Sequence, residues 1–270
     1  MRWPLVWTVA RRDLRVVRRS RLVMLSMALV PALFLVVIPA GLALMPLIAG
    51  PSADLKTAEL LRSLPGALRA ALAGLSPEQA GVVYATTYMF APMFLIVPIV
   101  VTSGIAADSF AGERERKTLE ALLYTPMSDA ELFAGKVVGA LVPAMLVAVL
   151  GFLVYAVVVN AAGWPVMGRI FFPPLSWFIL VLWVAPAVAV LTLGIVVFVS
   201  ARVATAQEAF QASGLVVLPI VLLVIGQIAG VIYLGPAFVA GLGAVAWVLA
   251  AVITLYVRRR FHRTALVALT

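Results

Sequence analysis

The sequence predicts an all-α membrane protein with six transmembrane helices. Three observations carry that prediction. Of the 270 residues, 64% are hydrophobic and only 11% are charged, whereas a soluble domain carries about 25% charged residues. The apolar residues fall in runs of about 20, the length that crosses a bilayer core. The charges gather between and beyond those runs. A water-soluble core cannot use this much apolar surface, so lipid is the solvent.

The first element is residues 1–21. Trp3, Trp7, Ala10, Leu14 and Val17 follow helical spacing, while Arg12, Arg15 and Arg19 point elsewhere. That pattern reads as an interfacial helix on the inner leaflet, and a plain topology anchor accounts for most of it. It does not read as a cleavable signal peptide, because the apolar region that follows is too long and lacks a small-residue cleavage site.

Six spans follow, at residues 22–49, 82–107, 137–162, 177–199, 209–233 and 237–257, with no Asp, Glu, Lys or Arg inside any of them. The first is long enough to tilt or kink, and Pro31, Pro39 and Pro46 allow it. Residues 50–81 form the one sizeable external loop. Within it Leu60, Leu64, Leu68 and Leu72 recur every four residues, an amphipathic helix broken or kinked near Pro65-Gly66. Between the fifth and sixth spans, Gly226, Gly230, Gly235, Gly241 and Gly243 crowd the chain. Two readings stand there: a tight hairpin, or a fifth span ending near Gln227 followed by short re-entrant helices. The second requires irregular backbone buried in protein or facing water.

Charge sets the expected orientation. With six spans both termini share one side. That side carries sixteen of the twenty basic residues, and Lys56, Arg62, Arg69 and Arg169 make up the rest. The bias places both termini in the cytoplasm. The clusters Arg11–Arg21 and Arg258–Arg263 would then meet anionic lipid headgroups. This accounts for the net charge of +9 without nucleic acid. There is no Cys and a single His, His262, so disulfides and His- or Cys-based metal sites are excluded.

Residues 108–136 are the exception in this apolar chain. Six of the eleven acidic residues lie there: Asp108, Glu113, Glu115, Glu120, Asp129 and Glu131. Asp108 to Tyr124 reads as a helix leaving the second span, with pairs Glu113–Lys117 and Arg116–Glu120 at i,i+4. Leu119, Leu122 and Leu123 form an apolar edge. Thr125-Pro126 breaks the helix. Ser128 with Glu131 three residues on is a capping box that starts the next helix. A plain solvated hairpin needs only a few polar residues. Helix, elbow and capped helix together suit docking into a groove on another protein.

These residues carry a family resemblance. Glu113-Arg114-Glu115, Thr118-Leu119-Glu120, Leu122-Leu123, Thr125-Pro126, Ser128, Glu131 and Gly135-Lys136 resemble the signature loop of type-2 ABC permeases. These are membrane subunits of ATP-binding-cassette exporters, including NosY-like and NatB-like groups. The six-span layout and the loop Ser200–Ser213, with Arg202, Thr205, Gln207 and Glu208, resemble them too. Lys117 stands where the family usually has glycine, which stiffens the loop without disturbing cap or elbow.

The resemblance implies one permease domain over residues 1–270 in a prokaryotic inner membrane. It implies a second permease copy and two cytoplasmic ATPase subunits that bind ATP and Mg. Glu113, Arg114, Glu115, Thr118, Leu119, Glu120, Leu123, Thr125, Pro126, Ser128, Glu131 and Lys136 would form the ATPase-coupling region. The chain itself lacks a G-x-x-x-x-G-K-[ST] phosphate loop, since Gly135-Lys136 runs into Val137 with Ala130 at the earlier glycine position.

Other functions fit less well. An ion- or proton-coupled transporter or channel usually marks its path with intramembrane ionisable residues, and the spans have none. A carbonyl-lined path stays open. An intramembrane enzyme would lack acid–base and metal chemistry. A passive scaffold leaves the elbow unexplained. For the cargo path, Tyr84, Thr87 and Met89 in the second span and Gln227 in the fifth are the candidates. They suit a lipophilic or amphipathic substrate. Interhelical hydrogen bonding is the alternative role for the Thr and Tyr residues, and Gln227 stands out because a buried amide needs partners.

Overall fold

The structure, a computed structural model, describes residues 2–5, 7–11, 29, 31–49, 64–116, 128–229 and 231–260. Among these residues the chain is helical with no strand. We number the helices α1 (Leu33–Ile48), α2 (Gly66–Ala71), α3 (Pro77–Glu115), α4 (Asp129–Met167), α5 (Leu175–Ser200), α6 (Ala206–Ile228) and α7 (Pro236–Arg260). Helices α3 to α7 are long and apolar enough to cross a membrane, and α1 is a shorter apolar helix. Residues 22–28 of the first expected span lie outside the described residues. The protein is a multi-pass, all-α membrane protein.

Two of the helices far outrun the bilayer. Helices α3 and α4 each contain 39 residues, about 58 Å at 1.5 Å per residue, against a hydrocarbon core of about 30 Å. The stretches 108–115 of α3 and 129–136 of α4, beyond the apolar runs, form the polar end of the bundle. Ser128 starts α4 with the expected reciprocal cap: its hydroxyl accepts from the Glu131 N–H at 3.2 Å, and the Glu131 carboxylate accepts from the Ser128 N–H at 3.0 Å. At the far end of α4, Gly168 adopts φ +60° and its N–H bonds the Trp164 carbonyl at 2.9 Å. Only glycine takes that left-handed turn without strain.

The core is an aromatic stack. Tyr155 lies between Phe90 and Trp177 at centroid distances of 5.3 and 4.7 Å, and Phe94 and Phe172 meet Trp177 edge-on. All five rings are buried. Asn160, the polar residue at this level of α4, takes the Phe171 and Phe172 N–H groups on its oxygen and donates to the Phe172 and Ala156 carbonyls. The α4–α5 connection is thereby pinned to the core. Helices α5 and α7 pack closely where Gly243 meets Trp183, since an added Cβ would come within 2.3 Å of the indole. This is the small-residue contact expected between membrane helices.

At the opposite end, Leu64, Leu68 and Leu72 share a buried face with Ala80 and Tyr84. The expected four-residue repeat is therefore an apolar stripe packed on the bundle, with Pro65 just ahead of α2 rather than inside it. Leu60 lies outside the described residues. The region between the last two helices is a short non-helical connection among the described residues. Helix α6 stops at Ile228, next to the Gln227 end of the second reading and short of Tyr233, because the Gly226 carbonyl accepts from the Val231 and Ile232 N–H groups instead of continuing the helix. Ile232 folds so close to Gly226 that a Cβ there would lie 2.4 Å from its side chain. Residues 231–235 are non-helical, so no re-entrant helix occurs among the described residues of this stretch.

Candidate functional site

The polar end assembles residues from four parts of the chain. Helix α3 runs on past Ala107, as expected of a helix leaving the second span. It widens over Asp108–Gly112 and continues to Glu115. There Lys136, one residue before the expected third span, reaches back from α4. Its ammonium lies 2.5 Å from Glu113 Oε2, also donates to the Ser109 carbonyl, and sits 5.1 Å from the Phe110 ring. Both charged side chains are almost fully buried, 2% and 5% exposed. The two flanks of the elbow are thus joined by a buried ion pair.

The neighbouring charges tie this unit to the α5–α6 connection. The Arg114 guanidinium donates to the Val203 carbonyl. The Glu115 carboxylate accepts from the Ala206 N–H at 3.0 Å. That N–H sits in the first turn of α6, where Thr205 caps the helix by accepting from the Glu208 N–H at 3.2 Å. A carboxylate at a helix N-terminus satisfies an orphan donor and complements the helix dipole. Arg116 bonds Asp108 at 2.8 Å, closing back on the widened turn. Its expected partner Glu120 lies outside the described residues, as does Lys117, the partner expected for Glu113. Thr118, Leu119, Leu123, Thr125 and Pro126 also lie outside them.

One member of this end was not legible from spacing. Arg2 clasps Glu131: its backbone N–H donates to Oε1 at 2.8 Å, its Nε to Oε1 at 3.2 Å and its Nη2 to Oε2 at 3.0 Å. Glu131 therefore serves the capping box and the clasp together. The Arg2 guanidinium, followed by the cap and Arg2 N–H groups, holds this carboxyl well below the usual carboxylate range. Residues 3–5 and 7–11 are helical, and this N-terminal helix packs on α4 through Leu5, Val9 and Leu132. Ala10 approaches Gly139 so closely that a Cβ there would lie 3.3 Å from its Cα. Trp3 and Trp7 stay exposed on the other side. The element expected mainly as a topology anchor is built onto the start of the elbow's second helix. Arg2 stands apart from the Arg11–Arg21 cluster, which is the only signal the sequence offers.

A multi-span helical bundle, a second span that continues as helix past Ala107 and a capped restart at Ser128 are what the elbow residues implied, and the Lys136–Glu113 pair joins the two flanks. Residues 7–261 match the family described as ABC-2 family transporter protein. The chain belongs to that family. No curated protein matches it.

In this permease the four cargo-path candidates also come together. Tyr84, Thr87 and Met89 lie on one widened turn of α3, Tyr84–Met89. Gln227 comes from α6, and its amide Nε2 donates to the Tyr88 carbonyl at 2.8 Å. Tyr88 and Tyr233 pack at 5.6 Å, and Met89 lies against the cluster of Leu64, Leu68, Leu72 and Tyr84. Gln227 Oε1 and Thr87 Oγ1 are buried with no hydrogen-bond partner. Tyr155 and Trp177, which no spacing in the sequence singles out, donate to the same turn. Among the described residues no three of His, Cys, Asp or Glu gather to hold a metal.

Proposed function

We propose that this chain is the membrane-spanning subunit of an ABC exporter, driven by separate ATPase subunits that dock on the polar end. The family works as transport permeases with ABC ATPases, which makes such partners the natural reading. The observation that carries it is the buried Lys136–Glu113 pair. Burying two charges is costly unless they are paired and hydrogen-bonded. Here the pair makes one rigid unit of the α3 extension and the start of α4, and Glu115 and Arg114 extend it to the α6 N-terminus. A push on the elbow would reach three long helices at once.

In this reading Glu113, Arg114, Glu115, Thr118, Leu119, Glu120, Leu123, Thr125, Pro126, Ser128, Glu131 and Lys136 form the coupling region. ATP and Mg bind on the partner, and two permease copies pair with two ATPases. The polar end is cytoplasmic with both termini, in a prokaryotic inner membrane, as the basic bias supports. Trp3, Trp7 and Arg11 suit the lipid headgroup layer. The substrate is lipophilic or amphipathic and passes by Tyr84, Thr87, Met89 and Gln227. The test is affinity purification of the chain from its native membrane in mild detergent. Recovery of an ABC ATPase, with no ATP hydrolysis by the isolated chain, supports the reading. A stable complex without any ATPase favours the channel or secondary-transporter alternative.

A further inference from the structure

Helix α3 is interrupted inside the membrane, and three other helices donate to its carbonyls there. Pro92 has no N–H. In a regular helix that N–H would serve the Tyr88 carbonyl, and in the i→i−5 pattern of the preceding turn it would serve Thr87. Phe90 keeps that wider pattern, bonding the Ala85 carbonyl at 3.1 Å. The two oxygens Pro92 cannot serve are the ones taken from outside: Trp177 Nε1 of α5 donates to Thr87 O at 2.7 Å, and Gln227 Nε2 of α6 donates to Tyr88 O at 2.8 Å. Tyr155 Oη of α4 donates to the adjacent Thr86 O at 2.5 Å. Three consecutive carbonyls are thus held by three side chains on three different helices.

The three donors are buried, and a carbonyl left bare in hydrocarbon is costly. Wide turns and proline breaks are where membrane helices bend. Here the bonds that bending would exchange are made by side chains, with regular helix on both sides. Two spare buried groups at the same place, Gln227 Oε1 and Thr87 Oγ1, give the exchange alternative partners.

The structure assigns the Tyr84–Pro92 segment of α3 as the hinge of the transport cycle, and Tyr155, Trp177 and Gln227 as the positioning residues that latch it. The hinge lets the outer rod, Pro77 to Val83, change tilt against the inner rod, Ile96 to Ala107. Transport by a permease requires such a rearrangement between spans. The inference rests on family membership and on this geometry, and it does not depend on the ATPase-docking proposal.

The experiment uses the full chain in lipid nanodiscs, with neither substrate nor ATPase. The chain has no Cys, so nitroxides at Glu78→Cys and Ala201→Cys, both exposed, report the distance from the outer rod to the far end of α5. Pro92→Ala supplies the missing N–H. The expected result is a broad or two-peaked distance distribution that narrows in Pro92→Ala and widens in Trp177→Phe and Gln227→Met. Each latch variant should lower Tm by about 2–4 °C in the parent chain and by half that or less with Pro92→Ala. A distribution unchanged by Pro92→Ala, or equal Tm losses in both backgrounds, overturns the assignment. Should Pro92→Ala fail to insert, Trp177→Phe alone decides: widening supports the hinge and an unchanged distribution overturns it.

Discussion

Lys136 Nζ lies 2.5 Å from Glu113 Oε2, and neither side chain is more than 5% exposed. Their positions are 23 residues apart in sequence, on the two flanks of the elbow. Removing one partner of such a pair leaves the other charge buried and uncompensated, at a cost of about 3–5 kcal/mol. Glu113→Leu should therefore lower stability in detergent strongly, because it strands the buried Lys136 ammonium. Glu113→Leu together with Lys136→Met should recover most of that loss, because no charge is then stranded. Thermal unfolding of the two variants checks this. Equal losses in the single and double variants would show that the pair is not the source.

The Arg2–Glu131 clasp makes a pH prediction. Glu131 sits in the first turn of α4, beyond the stretch 137–162 that fills the bilayer. Its carboxyl is held below its ordinary range, so the clasp is fully formed above the unfolded value of about 4.3 and is lost only as pH falls through the lowered folded value. A nitroxide at Thr8→Cys, on the exposed side of the N-terminal helix, should keep constant mobility from pH 8 down to about 5. Arg2→Ala should raise the mobility across that whole range. Gly139→Val should do the same by forcing the helix off through Ala10. A transition near neutral pH in the parent chain would contradict the clasp.

The orientation can be read chemically. Ala73 and Ala204 are exposed at opposite ends of the bundle. A membrane-impermeant maleimide should label Ala73→Cys in intact cells and Ala204→Cys only after permeabilisation. The reverse pattern would overturn the placement of the polar end in the cytoplasm.

Coupling has its own test. Glu115→Arg with Glu120→Arg should leave insertion intact while reducing the co-purifying ATPase about tenfold, a change of about 1.4 kcal/mol. Glu115→Gln alone weakens only the link to the Ala206 N–H and should change recovery less. Undiminished recovery in the double variant would point to a plain hairpin.

The sequence by itself determined the all-α membrane class, the apolar runs, the Ser128–Glu131 cap and the polar elbow as the place of interest. These are local or compositional properties: a run of about 20 apolar residues admits few solvents, and a cap is decided within four residues. The Leu64, Leu68 and Leu72 stripe was legible for the same reason, since residues four apart share a helix face. Only the tertiary structure decided who pairs with whom. Arg2 finds Glu131 across 129 positions, Gln227 finds Tyr88 across 139, and Lys136 bonds Glu113 from the opposite flank of the elbow. No spacing rule reaches so far, because the partner is chosen by which buried donor or acceptor would otherwise be left bare. Pro92 shows the division in one residue: the missing N–H is written in the chain, but the side chains that answer for it, Trp177 and Gln227, come from two other helices brought to it only by packing.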